Sequence, residues 1–246
     1  MRVEKYRDLT LLYFNDENII VIACDSCGGI GLKAGDELKT DNKVVGYFTA
    51  SVVLCELLSF KVKPQMIVNN LCVEMNPTGK EIIAGIKEAV EEIELDPSNI
   101  LTGSTEENMP VIQTGIGITC IGTIDKKSWL MPTSKAEDAV FVIGTPKVGA
   151  EVLKTEGISN LKIISKINYK KGVNEMLPVG SKGIDYEISE LCRCNKLQFQ
   201  YIDKLTVDIK KSAGPVTCVL VSGDKNLIEE MLSKFNVSYS YLGRLY

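Results

Sequence analysis

The segment spanning residues 19–38, IIVIACDSCGGIGLKAGDEL, constrains the fold of this chain more than any other. Its apolar start predicts a buried strand, which runs through Cys24 directly into Asp25. Three glycines follow within four positions, at Gly28, Gly29 and Gly31. Glycines let backbone N–H groups approach a phosphate closely, and a carboxylate beside them suits the accompanying magnesium ion. The segment therefore predicts a nucleotide site, and a glycine-rich hairpin turn is the alternative interpretation.

No common phosphate-binding motif explains this glycine cluster. A P-loop, GxxxxGK[ST], is excluded because Ala34 follows Lys33. The letters GGIG do not match the dinucleotide fingerprint GxGxxG, and the polar segment that follows does not begin a Rossmann helix. A nucleotide bound here is therefore held by another architecture.

Length and charge narrow the class of protein. The 246 residues, 45% of them hydrophobic, predict a soluble globular chain with one large core or two modest ones. A net charge of −4 argues against a nucleic-acid partner, because binding to a phosphate backbone needs clustered Lys and Arg. The chain has no apolar run of membrane-spanning length, and its start, MRVEKYRD, is too charged for a signal peptide. We therefore expect a cytoplasmic protein without a membrane partner.

The chain contains no histidine, which excludes Ser-His-Asp and Cys-His catalysis and histidine-ligated metals. Its eight cysteines include a CxxC and a CxC pair, which together resemble a zinc site. Structural zinc is disfavoured because the pairs lie far apart and Cys24 belongs to a strand pattern. The remaining carboxylates, lysines and hydroxyls, with a hard metal, suit phosphoryl transfer, in which positioning and charge neutralisation supply most of the catalysis. The composition thus favours a kinase or a ligase.

Two acidic residues are expected at one edge of the N-terminal sheet. The runs LTLLYF and IIVIAC, separated by a polar turn, predict a β-hairpin. Asp8 begins the first strand and Asp25 ends the second, so antiparallel pairing brings them to the same edge. There they suit a magnesium-nucleotide complex. The alternative is that Asp8 is an ordinary solvated residue at a strand start.

The next segments predict a helix, a strand and a second helix. The long apolar run over residues 44–60 predicts a buried helix, in which Glu56 is the only charged residue. A carboxylate in such a helix is expected to meet either a cation or an exposed face. A strand is predicted over residues 65–75 and an amphipathic helix over residues 78–93.

A second polar loop follows in LTGSTEENMP, ahead of another strand pattern. Its small, hydroxyl and acidic residues are Gly103, Ser104, Thr105, Glu106, Glu107 and Asn108. Hydroxyl and carboxylate groups together in a loop suit a magnesium-phosphate complex. The same letters also form ordinary helix caps and turns, which is the alternative interpretation.

The second half of the chain predicts a smaller α/β domain after a linker at residues 131–138. Strands are predicted over residues 139–146 and over LKIISKI, residues 161–167, and GPVTCVLVSGDKNLIEEMLSKF predicts a strand, a turn and an amphipathic helix. The candidate site in this half lies between Gly180 and Gly183, where Ser181 and Lys182 are expected to face a nucleoside substrate. A surface turn is the alternative.

The order of three segments resembles one superfamily: the strand end at residues 25–31, the helix bearing Glu56, and LTGSTEENMP. That PurM-like superfamily includes aminoimidazole ribonucleotide synthetase, thiamine monophosphate kinase, selenophosphate synthetase and a hydrogenase maturation protein. Within it, CDSCGGIGLK, NNLCVEMNPTG, TGSTEENMP, LPVGSKGI and SAGPVTCVLV are together most similar to the α-ribazole kinase family. The resemblance covers nearly the whole chain.

This resemblance implies a mixed α/β, two-domain PurM-like fold, with an ATP- and magnesium-binding domain over residues 1–130 and a C-terminal α/β domain over residues 131–246. It also implies a homodimer whose N-terminal sheets join into a barrel, with ATP and Mg²⁺ along the dimer interface. The expected ATP-binding residues are Gly28, Gly29, Gly31, Gly103, Ser104 and Thr105. The expected metal ligands are Asp8, Asp25, Glu56 and Glu106. The acidic loop position of the superfamily falls on Thr105 here, one residue before Glu106.

The implied reaction transfers the γ-phosphoryl group of ATP to the ribose 5′-hydroxyl of α-ribazole, which supplies the lower ligand of cobalamin. Expected catalytic residues are Asp25, Lys33 and Glu107, with Lys33 stabilising developing charge and either carboxylate accepting the hydroxyl proton. Expected substrate-binding residues are Asn108, Ser181 and Lys182. The alternatives are a thiamine monophosphate kinase, a selenophosphate synthetase-like enzyme, an ATP-dependent ligase and a non-catalytic ATP-binding protein.

Overall fold

A computed structural model describes residues 1–154 and 160–246 and divides the chain into two compact units. The first unit comprises residues 1–57 and 62–128, and the second comprises residues 58–61 and 129–246. The division thus falls between Ser128 and Trp129, where the predicted boundary follows residue 130. In the part of the chain that the structure covers, no helix is long and apolar enough to span a bilayer.

The first unit is built on a six-stranded sheet. In their order across the sheet, and numbered along the chain, its strands are β1 (Arg2–Tyr6), β2 (Leu9–Tyr13), β3 (Asn18–Gly28), β8 (Gly115–Asp125), β6 (Pro64–Leu71) and β7 (Leu101–Thr105). All neighbours are antiparallel except β6 and β7, which are parallel. The pairing of β2 with β3 confirms the predicted hairpin. Two short parallel strands, β4 (Ile30–Gly31) and β5 (Leu38–Lys39), follow the glycine cluster.

One face of this sheet, the inner face, is buried, and the other, the outer face, is half-exposed. Side chains alternate along a strand, so Ile19, Val21 and Ala23 of β3 are buried on the inner face. On the outer face, Ile22, Ile121 and Met66 lie side by side across β3, β8 and β6. Met66 is 47% exposed, whereas Ile19, Val21 and Ala23 are at most 1% exposed.

Three helices belong to the connections of this sheet: α1 (Asn42–Ser59), α2 (Lys80–Glu92) and α3 (Pro97–Ile100). α1 confirms the buried helix predicted from the long apolar run. A single π-type turn, Met75–Gly79, continues directly into α2, so the predicted start of the second helix at residue 78 falls within one helical run. Two glycines bring the helices together, because a Cβ on Gly46 would lie 2.0 Å from Ile82 O and one on Gly85 would lie 1.9 Å from Lys43 O.

The second unit contains a five-stranded antiparallel sheet. Its strands, in sheet order, are β10 (Val173–Pro178), β12 (Cys218–Gly223), β9 (Ala139–Gly144), β13 (Tyr239–Leu245) and β11 (Phe199–Tyr201). Its helices are α4 (Asn160–Ile167), α5 (Gly183–Asn195) and α6 (Lys225–Leu232), with a 3₁₀ turn at Gly149–Lys154. The central strands are buried along their length, as expected for a sheet that packs on both faces.

The predicted strand LKIISKI is wrong, because this segment forms α4. Leu161, Ile164 and Ile167 are all buried and recur every three residues, which places them on one side of a helix. A short run of isoleucines does not distinguish a buried strand from a buried helix, and here tertiary packing decides.

The predicted linker at residues 131–138 is anchored to the sheet of the second unit. The backbone N–H groups of Thr133 and Ser134 both donate to Glu175 Oε1 at 2.7 Å. Asn174 Nδ2 donates to Asp138 Oδ2 at 2.7 Å. Glu175 is fully buried, so this segment contributes polar contacts to the interior of the unit.

Candidate active site

Two loops at the end of β3 are joined to each other: the glycine loop, residues 29–39, and the acidic loop, residues 106–114. Gly29 N donates to Thr114 O at 2.9 Å, and Gly35 N donates to Ile112 O at 2.6 Å. Gln113 Nε2 also donates to Gly35 O at 3.0 Å. The glycine loop and the acidic loop, each predicted from the sequence to bind phosphate and magnesium, are therefore neighbours in the structure.

Asp36 fastens these loops together. It is 5% exposed, and its two carboxylate oxygens accept hydrogen bonds from the backbone N–H and the hydroxyl of Thr114, both at 2.7 Å. Lys33 N donates to Asp36 Oδ2 at 2.9 Å. Burial alone would raise the pKa of Asp36, but the hydrogen bonds from Thr114 and Lys33 outweigh it and hold that pKa below its usual value. The carboxylate therefore stays ionised while nearly buried.

We expect Asp36→Asn to destabilise the first unit at pH 7 by about 2 kcal/mol, because it removes a charged acceptor from buried donors. A carboxyl with a lowered pKa stabilises the fold above its unfolded pKa, and this contribution is lost as pH falls through the folded pKa. The difference in melting temperature between wild type and variant should therefore shrink in acid. Thermal unfolding followed by circular dichroism, with the exposed turn variant Asp16→Asn as control, measures it. Equal melting temperatures at pH 7 would contradict the role of Asp36.

Lys33 forms an ion pair with Glu74, which lies in the connection between β6 and α2. Lys33 Nζ is 2.6 Å from Glu74 Oε2, and the side chains are 15% and 32% exposed. Thr78 Oγ1 donates to the other oxygen, Glu74 Oε1, at 2.5 Å. Burial raises the pKa of Glu74, but the hydrogen bonds from Lys33 and Thr78 outweigh it and lower that pKa to about 2.

Glu107, together with Thr105, contacts the same connection between β6 and α2 that carries Glu74. Glu107 Oε1 accepts hydrogen bonds from Met75 N at 2.8 Å and from Thr105 Oγ1 at 2.7 Å. Met75 directly follows Glu74, so the predicted residues Lys33, Thr105 and Glu107 come together around one turn. Glu106 is used differently, because its Oε1 accepts from Asn108 N and Met109 N within its own loop, at 2.7 and 3.2 Å.

Asp25 lies on the inner face of β3 and is partly buried there. Burial raises its pKa, and a backbone hydrogen bond at Ser26 offsets this only in part. Cys27 is the next inner-face residue, and burial raises the pKa of its thiol more than the side chain of Thr49 in α1 lowers it. No Lys or Arg forms an ion pair with Asp25 among residues 1–154 and 160–246. A buried carboxylate whose charge is not balanced by the protein suits a cation brought by a ligand.

Of the other predicted metal ligands, Asp8 lies nearest to Asp25 along the sheet. Asp8 is exposed in the two-residue turn between β1 and β2. Continuing the register of β2 with β3 places it beside Cys24, at the same end of the sheet as Asp25. Because side chains alternate along a strand, this position belongs to the outer face, whereas Asp25 lies on the inner face. Glu56 lies near the far end of α1, about 21 Å along the helix axis from Asn42. No three Cys, Asp or Glu side chains within the described ranges form a group that could hold a metal ion.

The glycines predicted to bind ATP differ in their backbone conformation and in the space around them. Gly29 has φ +73°, a conformation that favours glycine, whereas a Cβ on Gly28 would make only an ordinary contact with Thr114 O at 3.9 Å. A Cβ on Gly31 would lie within 3 Å of Thr114, Asp36 and Asn42, so this glycine is required by the polar packing around Asp36. A Cβ on Gly103 would lie 2.0 Å from Asn69 O, so close packing of β7 on β6 explains it. Ser104, also on β7, is exposed.

The predicted substrate residues of the second half are exposed at the start of α5. Lys182 Nζ lies 4.1 Å from the centre of the Tyr186 ring, a cation–π contact. Ser181 is exposed beside it, and Gly183 has φ +82°. Asn108, predicted with them, belongs to the acidic loop of the first unit.

Glu74 and Asp36 are missing from the residues predicted to form the site. Glu74 is the one charged residue in NNLCVEMNPTG, a segment whose apolar pattern predicts a strand. An isolated charge at the end of an apolar run is the signal that could have identified it. Asp36 follows Gly35, a pair that is also common in ordinary turns.

Solved structures with the same fold include thiamine-monophosphate kinases. The enzyme from Stenotrophomonas maltophilia matches with a TM-score of 0.67 and 11% identity, over 98% of this chain and 89% of that one. The enzyme from Aquifex aeolicus matches with a TM-score of 0.66 and 14% identity, over 98% and 88%. Thermotoga maritima PurL gives 0.61 and 10% identity over 96% of this chain but 43% of its own, so this chain spans less than half of PurL. These matches confirm the predicted PurM-like α/β fold.

No protein-family profile matches this sequence, and no curated protein sequence matches it either.

Proposed function

We propose that this chain is an ATP-dependent kinase that phosphorylates the ribose 5′-hydroxyl of α-ribazole. The observation that carries this proposal is the convergence of Lys33, Thr105 and Glu107 on one turn beside the glycine loop. A cation, glycine N–H groups and a carboxylate are the parts that phosphoryl transfer needs. The fold supports the same class, because one matching structure is a thiamine-monophosphate kinase described as complexed with AMPPCP and TMP.

Asp25 fits a role as magnesium ligand. Magnesium in nucleotide sites is bound by one or two carboxylates together with phosphate oxygens and water, so a ready-made cage of protein ligands is not needed. Asp25 supplies a partly buried carboxylate. Asp8 stays the proposed second ligand, at the same end of the sheet but at a position of the opposite face, so it would have to reach the ion around the sheet edge. Glu56 and Glu106 remain the other candidates. The bound ion would neutralise charge on the triphosphate.

Lys33 and Glu107 have distinct proposed roles. Lys33 would stabilise charge on the transferred phosphoryl group, and Gly28, Gly29 and Gly31 would line the triphosphate together with Gly103, Ser104 and Thr105. The N–H of Gly29 donates to Thr114 O, so this glycine would contribute close approach of the backbone and not a donor. Glu107 would accept the proton of the substrate hydroxyl, because its Oε1 is held by Thr105 and Met75 while its Oε2 has no hydrogen bond to any residue the structure describes. Asn108 in the first unit, and Ser181 and Lys182 in the second, stay predictions as nucleoside-binding residues.

The outer face of the six-stranded sheet supports a homodimer. Ile20, Ile22 and Ile121 are only half-buried there, and Met66 is exposed. A half-exposed apolar sheet face is typical of a protein–protein interface. We propose that two copies join through this face, consistent with the barrel implied by the sequence resemblance, in a cytoplasmic enzyme.

The test is an ADP-release assay with ATP, Mg²⁺ and either α-ribazole or thiamine monophosphate as acceptor. We expect ADP release that depends on α-ribazole and is absent without acceptor. Release with thiamine monophosphate alone would favour the second candidate function, thiamine monophosphate kinase, which the matching fold supports. ATP binding with neither acceptor phosphorylated would contradict both proposals and favour a non-catalytic ATP-binding protein.

A further inference from the structure

We propose that Glu74 is a positioning residue that holds the Lys33 ammonium group ready for the phosphates of the nucleotide. This inference rests on the proposed function, because it assigns Lys33 to a bound triphosphate. Lys33 Nζ lies 2.6 Å from Glu74 Oε2, the distance of a strong charge-assisted hydrogen bond. Nothing in the motif spacing of the sequence connects these two residues, which are 41 positions apart.

Both partners of this ion pair are fixed by their own surroundings. Glu74 accepts a hydrogen bond from Thr78 on its second oxygen, and Glu74 O accepts one from Gly79 N at 2.8 Å. Lys33 N donates to the buried Asp36, and Lys33 O accepts a hydrogen bond from Lys39. The backbones on either side of the pair are therefore held, and the ammonium group has a defined place.

A held lysine binds an anion at lower entropic cost than a free one. A lysine side chain has roughly 2 kcal/mol of rotamer entropy, part of which is lost whenever its ammonium group binds a fixed partner. When that freedom is already lost in the ligand-free protein, binding does not incur it again. The ammonium group has three N–H donors, so the pair with Glu74 leaves two for phosphate oxygens. Protein kinases use a lysine–glutamate pair in this way.

Glu74 remains ionised in this arrangement. Its pKa is lowered to about 2, so it carries its charge throughout the pH range in which the enzyme would be assayed. An effect of Glu74 on nucleotide binding should therefore be independent of pH between roughly 5 and 9. This distinguishes Glu74 from a residue that acts by gaining or losing a proton during turnover.

The alternative role for Glu74 is competition with the nucleotide for Lys33. A carboxylate that pairs with Lys33 could compete with the phosphates for the same ammonium group and repel them. In that case, removal of its charge would strengthen nucleotide binding. The two roles therefore predict opposite signs for the same substitution, which makes the measurement decisive.

The experiment compares wild type with Glu74→Gln, Lys33→Ala and the double variant. Calorimetric titration with Mg·AMPPCP measures nucleotide affinity, and steady-state assays measure KM for ATP and for the acceptor. We expect Glu74→Gln to weaken AMPPCP binding roughly tenfold. KM for ATP should rise, while KM for the acceptor stays unchanged. In the double variant, affinity should be no lower than in Lys33→Ala alone, because Glu74 acts through Lys33.

Glu88→Gln is the matched control. Lys43 Nζ lies 2.6 Å from Glu88 Oε2, the same separation as in the Lys33–Glu74 pair, but the side chains are 57% and 53% exposed. This variant should bind AMPPCP as wild type does. Melting temperatures of all variants, measured without nucleotide, separate loss of binding from loss of fold.

Three results would overturn the inference while leaving the proposed kinase intact. They are unchanged affinity in Glu74→Gln, tighter binding in Glu74→Gln, and losses in the two single variants that add in the double variant. Failure of wild type to bind Mg·AMPPCP is a separate outcome. It would reject the proposed function, and the inference about Glu74 with it.

Discussion

Asp25→Asn is expected to abolish acceptor-dependent ADP release while making the ligand-free protein harder to unfold. The loss of turnover should be roughly a thousandfold or more, because the substitution removes the carboxylate proposed to hold the magnesium ion. The gain in stability follows from burial, which raises the pKa of Asp25 and shows that its charge is unfavourable in the fold. Asparagine has nearly the same shape and carries no charge.

The pH dependence of this gain has a definite sign. A carboxyl whose folded pKa is raised destabilises the fold at neutral pH, and the penalty disappears as pH falls through that raised pKa. The difference in melting temperature between Asp25→Asn and wild type should therefore be largest near pH 7 and shrink in acid. The sign of the difference is opposite to that expected for Asp36→Asn, which should melt below wild type at pH 7, although both differences shrink in acid.

The change in melting temperature on adding Mg·ATP tests whether Asp25 contributes to binding of the nucleotide. Wild type should gain melting temperature when Mg·ATP is added, because a ligand that binds only the folded state stabilises it. Asp25→Asn should gain much less, and the exposed variant Asp16→Asn should behave as wild type in every measurement. Normal turnover in Asp25→Asn would reject the assigned role of this residue. A lower melting temperature than wild type would show that Asp25 is structural.

Gly85→Ala is expected to separate α1 from α2 and to cost the first unit much of its stability. An added Cβ would lie 1.9 Å from Lys43 O and 2.7 Å from Tyr47 N, both backbone atoms of α1. Backbone atoms cannot move aside as a side chain can, so the whole helix must shift. We expect a net loss of roughly 3 kcal/mol, even though alanine favours a helix over glycine by about 1 kcal/mol. The melting temperature should fall by about 6–12 °C.

Ala84→Gly is the control on the same helix. Ala84 is exposed and adjacent in sequence, so its substitution should cost only the helix propensity, about 1 kcal/mol. The single tryptophan, Trp129, belongs to the second unit, so unfolding of the first unit is best followed by far-UV circular dichroism. If Gly85→Ala melts with or above wild type, the helices are not in backbone contact at this position.

The parts of the fold with strong local patterns are predictable from the sequence. The hairpin of β2 and β3 follows from two apolar runs separated by a polar turn, and α1 follows from a run too long for a strand. The strand prediction for LKIISKI is wrong because seven residues rich in isoleucine fit either structure until their neighbours are known. The helix predicted from residue 78 begins within the turn Met75–Gly79, which contains Pro77 and continues directly into α2.

Predicting the site is harder, because its contacts join segments distant in sequence. Lys33 is a candidate because it follows the glycine cluster, but its partner Glu74 lies in a segment with the pattern of a strand. Glu56 is a candidate because it is the only carboxylate in an apolar helix. That pattern predicts a buried helix, but it does not show which other residues lie near Glu56. Spacing in the sequence identifies residue types suited to phosphate chemistry, whereas the tertiary fold determines which of them meet.

The fastening of both loops by Asp36 has a consequence for how they open. Because Asp36 accepts hydrogen bonds from Thr114 of one segment and Lys33 of the other, neither loop can detach without breaking the same contacts. The amides of Gly29, Gly35 and Thr114 are all hydrogen-bonded across this junction, so we expect them to open as one cooperative unit of local unfolding. Native-state hydrogen exchange should then give one opening free energy for all three amides, and a nucleotide that binds the glycine loop should slow exchange in the acidic loop as well.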